Sequence, residues 1–205
     1  MDYLIITILG YLIGSIPSGL IIGKKFYAAD LRQFGSKNIG ATNAFRTLGL
    51  WPAVRVFLAD ATKGVIAVYL AYYVLDTSIA LLVGGIAVIA GHNWSVFLNF
   101  TGGRGVATAL GVIAVLVPKV TLLVFLVWAV IVYVTRYVSL ASIVGAVLVP
   151  VLMWFMGERV EFLYFGIIAA LFVVVRHKPN IERLLKGQEL KIKVGTLGAD
   201  NKKEK

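Results

Sequence analysis

The stretch NFTGGRGVATALGVIAVLVPKV, residues 99–120, decides the fold. It joins a glycine-rich polar loop to an apolar run that stops at Pro118-Lys119. Read as a helix, the apolar run covers residues 106–117, and its 12 residues rise only roughly 18 Å at about 1.5 Å each. A bilayer core of about 30 Å needs about 20 helical residues. The segment therefore either crosses by reaching up through the glycine loop or turns back as a re-entrant hairpin.

A membrane is the right setting for that choice. Hydrophobic residues make up 60% of the 205, mean hydropathy is +0.90, and only 15% of residues are charged, yet the net charge is +10. A soluble domain is nearer a quarter charged. This pairing points to an integral membrane protein with basic loops. The chain has no cysteine, which excludes thiol catalysis, disulfides and thiolate metal sites. Residues 3–23 carry no charge and follow Met-Asp rather than a basic start, so they read as a retained first span and not a cleaved signal. Further candidate spans are 54–75, 78–98, 106–117, 120–135, 138–157 and 162–175.

Charge chooses between the two readings of the fourth segment. With seven spans, 18 of the 20 lysines and arginines fall on one side, and only Lys119 and Arg159 fall opposite. A re-entrant fourth segment splits them ten and ten. Basic loops stay cytoplasmic. The expected fold is therefore all-α, seven transmembrane helices, N-terminus outside and C-terminus cytoplasmic. Pro118-Lys119 and Asp76-Thr77 become tight outer turns. Residues 1–186 form one membrane domain, and 187–205 a polar basic tail, expected to be mobile near anionic headgroups. No internal repeat supports an inverted-repeat transporter.

Four polar segments then share the inner side: 24–51, 99–105, 135–142 and 176–183. In the second, Gly102, Gly103 and Gly105 permit close backbone approach to a ligand. The helix start that follows offers free N–H groups and the positive end of a dipole, and Arg104 adds a planar cation suited to phosphate. The pattern G-x-x-x-x-G-K-[ST] is absent, which argues against nucleotide hydrolysis. Locally the loop reads equally as a flexible turn with one positive-inside arginine.

FGSKNIGATNAFRTLG, residues 34–49, supplies Ser36, Asn38, Thr42 and Asn43, with Arg46 one helical turn after Asn43 if the stretch is helical. A capped surface loop is the competing reading. Asp60 and Lys63 lie inside the second span as an i,i+3 pair, which reads first as structural, with Lys63 also able to face an anionic substrate. Arg136 at a helix end reads first as an interfacial anchor, with Ser139 and Ser142 at the next helix start. Pro179 argues against one unbroken helix through RHKPNIERLL, residues 176–185. His177 has the right acidity range for proton transfer. His92 reads as a packed structural histidine. Two histidines without a carboxylate cluster make a catalytic metal an unfavoured reading.

Together these blocks resemble the bacterial acyl-phosphate:glycerol-3-phosphate acyltransferases of the PlsY type. The resemblance runs from GYLIGSIPSG (10–19) through GSKNIGATNAFRTLG, FLADATKG, GHNWSVF, TGGRGVATALG and RYVSLAS to the final His-x-x-Asn. It implies an inner-membrane enzyme with its site facing the cytosol, moving a fatty acyl group from acyl phosphate to the sn-1 hydroxyl of glycerol 3-phosphate. The products are lysophosphatidic acid and phosphate, the first acylation of phospholipid synthesis. It implies no metal, no cofactor and no acyl-CoA or acyl-carrier-protein donor. Its partners are the two substrates and membrane lipid, with no nucleic acid; oligomeric state is left open.

Carried over by position, Ser36, Arg46, His177 and Asn180 are the catalytic candidates. Asn38, Thr42, Asn43, Lys63, Gly102, Gly103, Arg104, Gly105 and Ser142 are the phosphate-binding candidates. Glu182 matches an accompanying structural acid. The chain departs from the family at Thr101, where a lysine is usual, and at Ser95, where a proline is usual. His177 is the best side-chain base for the glycerol hydroxyl, with a substrate phosphate oxygen as the alternative. Phe97, not an acid, stands five residues after His92, so the H-x-x-x-x-D mechanism of soluble-domain acyltransferases does not apply. The rival reading is a small anion or organophosphate transporter, disfavoured because the polar groups gather at one side. A non-catalytic scaffold leaves the convergent polar segments unexplained.

Overall fold

The structure, a computed structural model, describes residues 1–192. It is helical, with one isolated bridge between Ser95 and Thr101 and no named strand among the described residues. The first expected span is two helices, α1 (Asp2–Ser15) and α2 (Ser18–Tyr27). The break falls at Ile16-Pro17, because proline brings no N–H to the ladder. The short amphipathic α3 (Ala41–Leu48) follows, so Asn43 and Arg46 do sit one turn apart on a helix.

The remaining helices are α4 (Leu50–Val74), α5 (Ser78–Asn93), α6 (Val106–Leu116), α7 (Pro118–Thr135), α8 (Val138–Phe155), α9 (Val160–Arg176) and α10 (Lys178–Leu185). A 3-10 turn, Val96–Leu98, precedes the glycine loop. Among the described residues, three segments are long and apolar enough to cross a membrane: Asp2–Tyr27 through its break, Pro118–Thr135 and Val138–Phe155. The bent pair of α9 and α10 makes a fourth if counted as one span. Helices α5 and α6 are apolar but shorter.

Small residues let the helices close on one another, as membrane packing favours. Gly64 of α4 lies against the Thr108 carbonyl of α6, and Gly111 of α6 against the Ala61 carbonyl of α4. A side chain at either position would strike backbone. The same device joins α1 to α5, where Gly14 meets the Val88 carbonyl and Gly91 the Tyr11 carbonyl. The core is built from Val88, Ile89, Val112, Met153 and Phe165, all fully or nearly fully buried. Helix α7 instead exposes Leu122, Phe125, Leu126, Val130, Tyr133 and Val134, an apolar face suited to lipid.

The two ends of the bundle differ. At one, Arg159 donates to Ser78 Oγ (2.9 Å), and the Tyr3 and Thr77 hydroxyls lie 3.4 Å apart. At the other, α9 stops at Arg176, and α10 leaves at a bend of 59° with Pro179 in its first turn. His177 is the corner between them. Gly187, at φ 65°, then turns the chain back over the helix ends. Residues 188–192, the start of the expected basic tail, lie there with two backbone hydrogen bonds. Gln188 N donates to Arg183 O (2.7 Å), and Ile192 N to Arg136 O (3.0 Å). The rest of the expected tail, 193–205, lies outside the described residues.

Candidate active site

A cavity of about 330 Å³ opens at the α9–α10 end. Its polar wall includes Ser36, Asn38, Thr42, Asn43, Arg46, Arg104, Gly105, Ser142 and His177. Four segments far apart in sequence thus meet in one pocket. Much of the remaining wall is apolar, with Ile113, Val124, Phe125, Trp128 and Val149 from α6, α7 and α8. The cavity therefore has a cationic head and a greasy groove.

The loop before α3 is tied down by Asn43, which is 1% exposed. Its Nδ2 donates to the carbonyls of Leu31 (2.9 Å), Phe34 (3.1 Å) and Asn38 (2.8 Å), and its Oδ1 accepts from Ser36 N (2.8 Å). An anion needs donors, and both amide hydrogens are taken. Asn43 is thus a knot that presents Ser36 and Asn38, which corrects its expected part as a phosphate ligand.

Lys63 is corrected in the same way. Its ammonium donates to Asp60 Oδ1 (2.7 Å) and to Ile16 O (2.5 Å), and it does not line the cavity. The i,i+3 pair is therefore the structural one, and Lys63 also satisfies a carbonyl at the proline break between α1 and α2. Asp60 and His92 do reach the wall. His92 Nδ1 lies 3.7 Å from Asp60 Oδ1, too long for a hydrogen bond.

Two arginines of the cavity wall keep unspent donors. Arg46 gives one terminal nitrogen to Leu190 O (2.7 Å), while its buried Nε has no partner among the described residues. Arg104 makes no side-chain hydrogen bond to any described residue. Burial pushes it down to about 10, against the opposing pull of Glu189, so it remains cationic near neutrality. Gly105, at φ 77°, caps α6 in the left-handed region that glycine adopts freely. The amides of Arg104, Gly105, Val106 and Ala107 donate to no described residue, and all four residues line the cavity. Gly102 and Gly103 lie behind this wall.

His177 is 2% exposed. Its Nδ1 lies 2.7 Å from Val173 O, a contact that requires the proton on Nδ1 and leaves the Nε2 lone pair free. Burial first, and then the charge of Arg104, push the imidazole down to about 4. It is neutral at physiological pH.

Asn180 does not line the cavity; it backs a residue that does. Its Nδ2 donates to Glu189 Oε1 (2.6 Å), which also accepts from Ser139 Oγ (2.9 Å). Glu189 Oε2 accepts from Arg183 Nε (2.7 Å). Burial pushes the Glu189 carboxyl up, but these donors and the Arg183 charge outweigh it and hold it below the usual carboxylate range. Glu189 lines the cavity, whereas Glu182 is exposed. The structural acid is therefore Glu189 rather than Glu182. The available signal was Gly187, a helix stop that returns the next residues toward the site.

The two departures have local consequences. Thr101 Oγ1 donates to Leu98 O (2.6 Å) in its own turn and stays off the cavity. Ser95 uses what a proline lacks: its N–H donates to Thr101 O (3.1 Å), and its Oγ to Ser15 O (2.5 Å).

An apolar helical bundle with a cationic, imidazole-bearing pocket beside an apolar groove defines an integral membrane protein that handles amphiphilic anions. The chain belongs to the glycerol-3-phosphate acyltransferase family, which it matches over residues 4–187. The glycerol-3-phosphate acyltransferase of Desulforamulus reducens is 47% identical over 91% of this chain and 94% of that protein. That of Fusobacterium nucleatum is 43% identical over 94% and 100%. A crystal structure of PlsY, an integral membrane glycerol 3-phosphate acyltransferase, in its glycerol 3-phosphate form superposes with a TM-score of 0.88 at 40% identity. The match covers 94% of this chain and 96% of that one. Its lysophosphatidic acid form gives 0.86 at 38% over the same shares.

Proposed function

We propose that this protein transfers a fatty acyl group from acyl phosphate to the sn-1 hydroxyl of glycerol 3-phosphate, releasing lysophosphatidic acid and phosphate. The observation that carries the reading is the pairing of two arginines holding unspent donors with a neutral imidazole, on one cavity whose other wall is apolar. The cations suit the phosphates of both substrates, and the groove suits an acyl chain. The forms of PlsY with which the fold superposes are named for glycerol 3-phosphate and lysophosphatidic acid, in keeping with that chemistry.

Acyl phosphate is already activated, so no acyl-enzyme is needed. The glycerol hydroxyl oxygen attacks the acyl carbon, the bond from that carbon to the phosphate oxygen breaks, and phosphate leaves. Arg46, Arg104 and the free amides at the start of α6 stabilise the charge that develops on it. His177 Nε2 takes the hydroxyl proton and passes it to the departing phosphate. Ser36, Asn38, Thr42 and Ser142 orient the polar heads. A dianionic phosphate on Arg104 offsets the second cause of the low His177 basicity, so substrate binding itself raises the base toward working strength.

The topology that fits is seven spans in the bacterial inner membrane, N-terminus outside, with residues 1–186 as one domain and the site facing the cytosol. It rests on the one-sided placement of 18 of 20 basic residues. In this cysteine-free chain, cysteine at position 119 should label from the outer face and at position 101 from the cytosolic face; both labelling from one face would overturn it.

The activity test is purified protein in detergent with radiolabelled glycerol 3-phosphate and palmitoyl phosphate. Lysophosphatidate formed without added metal or coenzyme A supports the reading, and its absence overturns it. Transport would need sealed vesicles; acylation does not.

A further inference from the structure

Arg176 ends α9 one residue before His177, and no step above uses it. Its Nε donates to Gly103 O (3.0 Å) and a terminal nitrogen to Gly102 O (3.0 Å). Its guanidinium lies 5.7 Å from the centre of the Trp94 ring. It does not line the cavity, so it is not itself a ligand for substrate phosphate.

The two glycine peptides are held differently. Gly102 C=O and Gly103 N–H belong to one peptide unit. Its carbonyl goes to Arg176 and its N–H to His92 O (3.0 Å), so it is pinned at both ends. The next unit, between Gly103 and Arg104, is pinned only at its carbonyl, again by Arg176. The bond is trans, so the Arg104 N–H points opposite to that carbonyl, away from the guanidinium. That N–H meets no described partner, and Arg104 lines the cavity. A side chain at Gly103 would collide with the His92 ring, so this position has room only for glycine.

We infer that Arg176 is a positioning residue for the phosphate cradle: by gripping two consecutive glycine carbonyls it turns the Arg104 amide toward the substrate. The planar fork matters, because two parallel N–H groups match two adjacent carbonyls, whereas a lysine offers a single mobile point charge. The cradle and the base are thus set by one helix end, Arg176 holding the first and His177 being the second. This rests on the acyl-phosphate reading above.

The test uses the same detergent assay with wild-type protein in parallel. In Arg176→Lys, the KM of one phosphate-bearing substrate should rise about tenfold or more while the other moves far less. In Arg176→Ala, guanidinium ion should restore part of the lost kcat/KM, and methylammonium should not. A purely structural arginine would give neither the split nor the selective rescue, and wild-type kinetics in Arg176→Lys would overturn the inference. A second measurement needs no variant. Inorganic phosphate added to 15N-labelled wild-type protein should shift the Arg104 amide and leave the Gly103 amide, already bonded to His92 O, in place. An unmoved Arg104 amide overturns the inference. Lack of any product from wild-type protein would instead count against the function itself.

Discussion

Asn180 and Glu189 meet at 2.6 Å, nine residues apart, across the turn that returns the chain after α10. That contact makes the C-terminal strap part of the site, since the same carboxylate binds Ser139 of α8 and Arg183 of α10 and faces the cavity. Replacing Glu189 by Ala leaves the Asn180 amide and the Ser139 hydroxyl buried and unpaired. Each such orphan costs about 1–3 kcal/mol. Glu189→Ala should lower both Tm and turnover clearly, while Glu182→Ala, on an exposed position, should stay within about 0.5 kcal/mol of wild type. Thermal unfolding of the two variants in one detergent checks this, and equal losses would refute it.

The imidazole of His177 takes a proton near 6.5 in the unfolded chain and at about 4 in the folded protein. Between those values the unfolded state binds more protons. Its contribution to stability is therefore full above 6.5 and is lost as pH falls from there through about 4. Proton NMR of the imidazoles, assigned with His177→Gln, should show His177 neutral at pH 6 in the substrate-free protein. A midpoint near 6.5 would contradict it.

His177→Gln should lower kcat by about 10²–10⁴-fold, the range for loss of a general base, with little change in glycerol 3-phosphate binding. Single-turnover kinetics beside equilibrium binding separate the two effects. Unchanged turnover would transfer the proton step to a substrate phosphate.

Arg104 is a cation with no hydrogen-bond partner among the described residues, on a cavity wall. Such a charge is costly without its ligand. Arg104→Met should raise the Tm of the substrate-free protein by a few degrees while lowering kcat/KM about 10²-fold or more. Phosphate should stabilise the wild type and not the variant in the same thermal scan.

Asp60 and Lys63 form a buried pair at 2.7 Å, with side-chain exposures of 3% and 6%. Breaking such a pair on one side costs about 3–5 kcal/mol, because the other charge is left buried. Asp60→Asn and Lys63→Met should each be severe, and the double variant milder than their sum. Additive losses in the double-mutant cycle would show that the two charges are not coupled.

The amino-acid sequence by itself determined the membrane setting, the approximate positions of the later apolar helices though not the break of the first at Pro17, the helix break before Pro179, and the glycine loop opening a helix. Each follows from local chemistry: hydropathy over some twenty residues, a missing N–H, a position that needs left-handed backbone. The sequence also paired Asp60 with Lys63, since one helical turn separates them. Tertiary structure decided how the polar residues are spent. Asn43 turned its donors on its own loop, Lys63 found the carbonyl of Ile16, and Arg176 became a clamp on the glycines. The choice of Glu189 over Glu182 depended on the 59° bend and on Gly187, which together bring residue 189 rather than 182 against α8. A polar side chain states what it can bond to, but only the packed helices bring one particular partner within 3 Å of it.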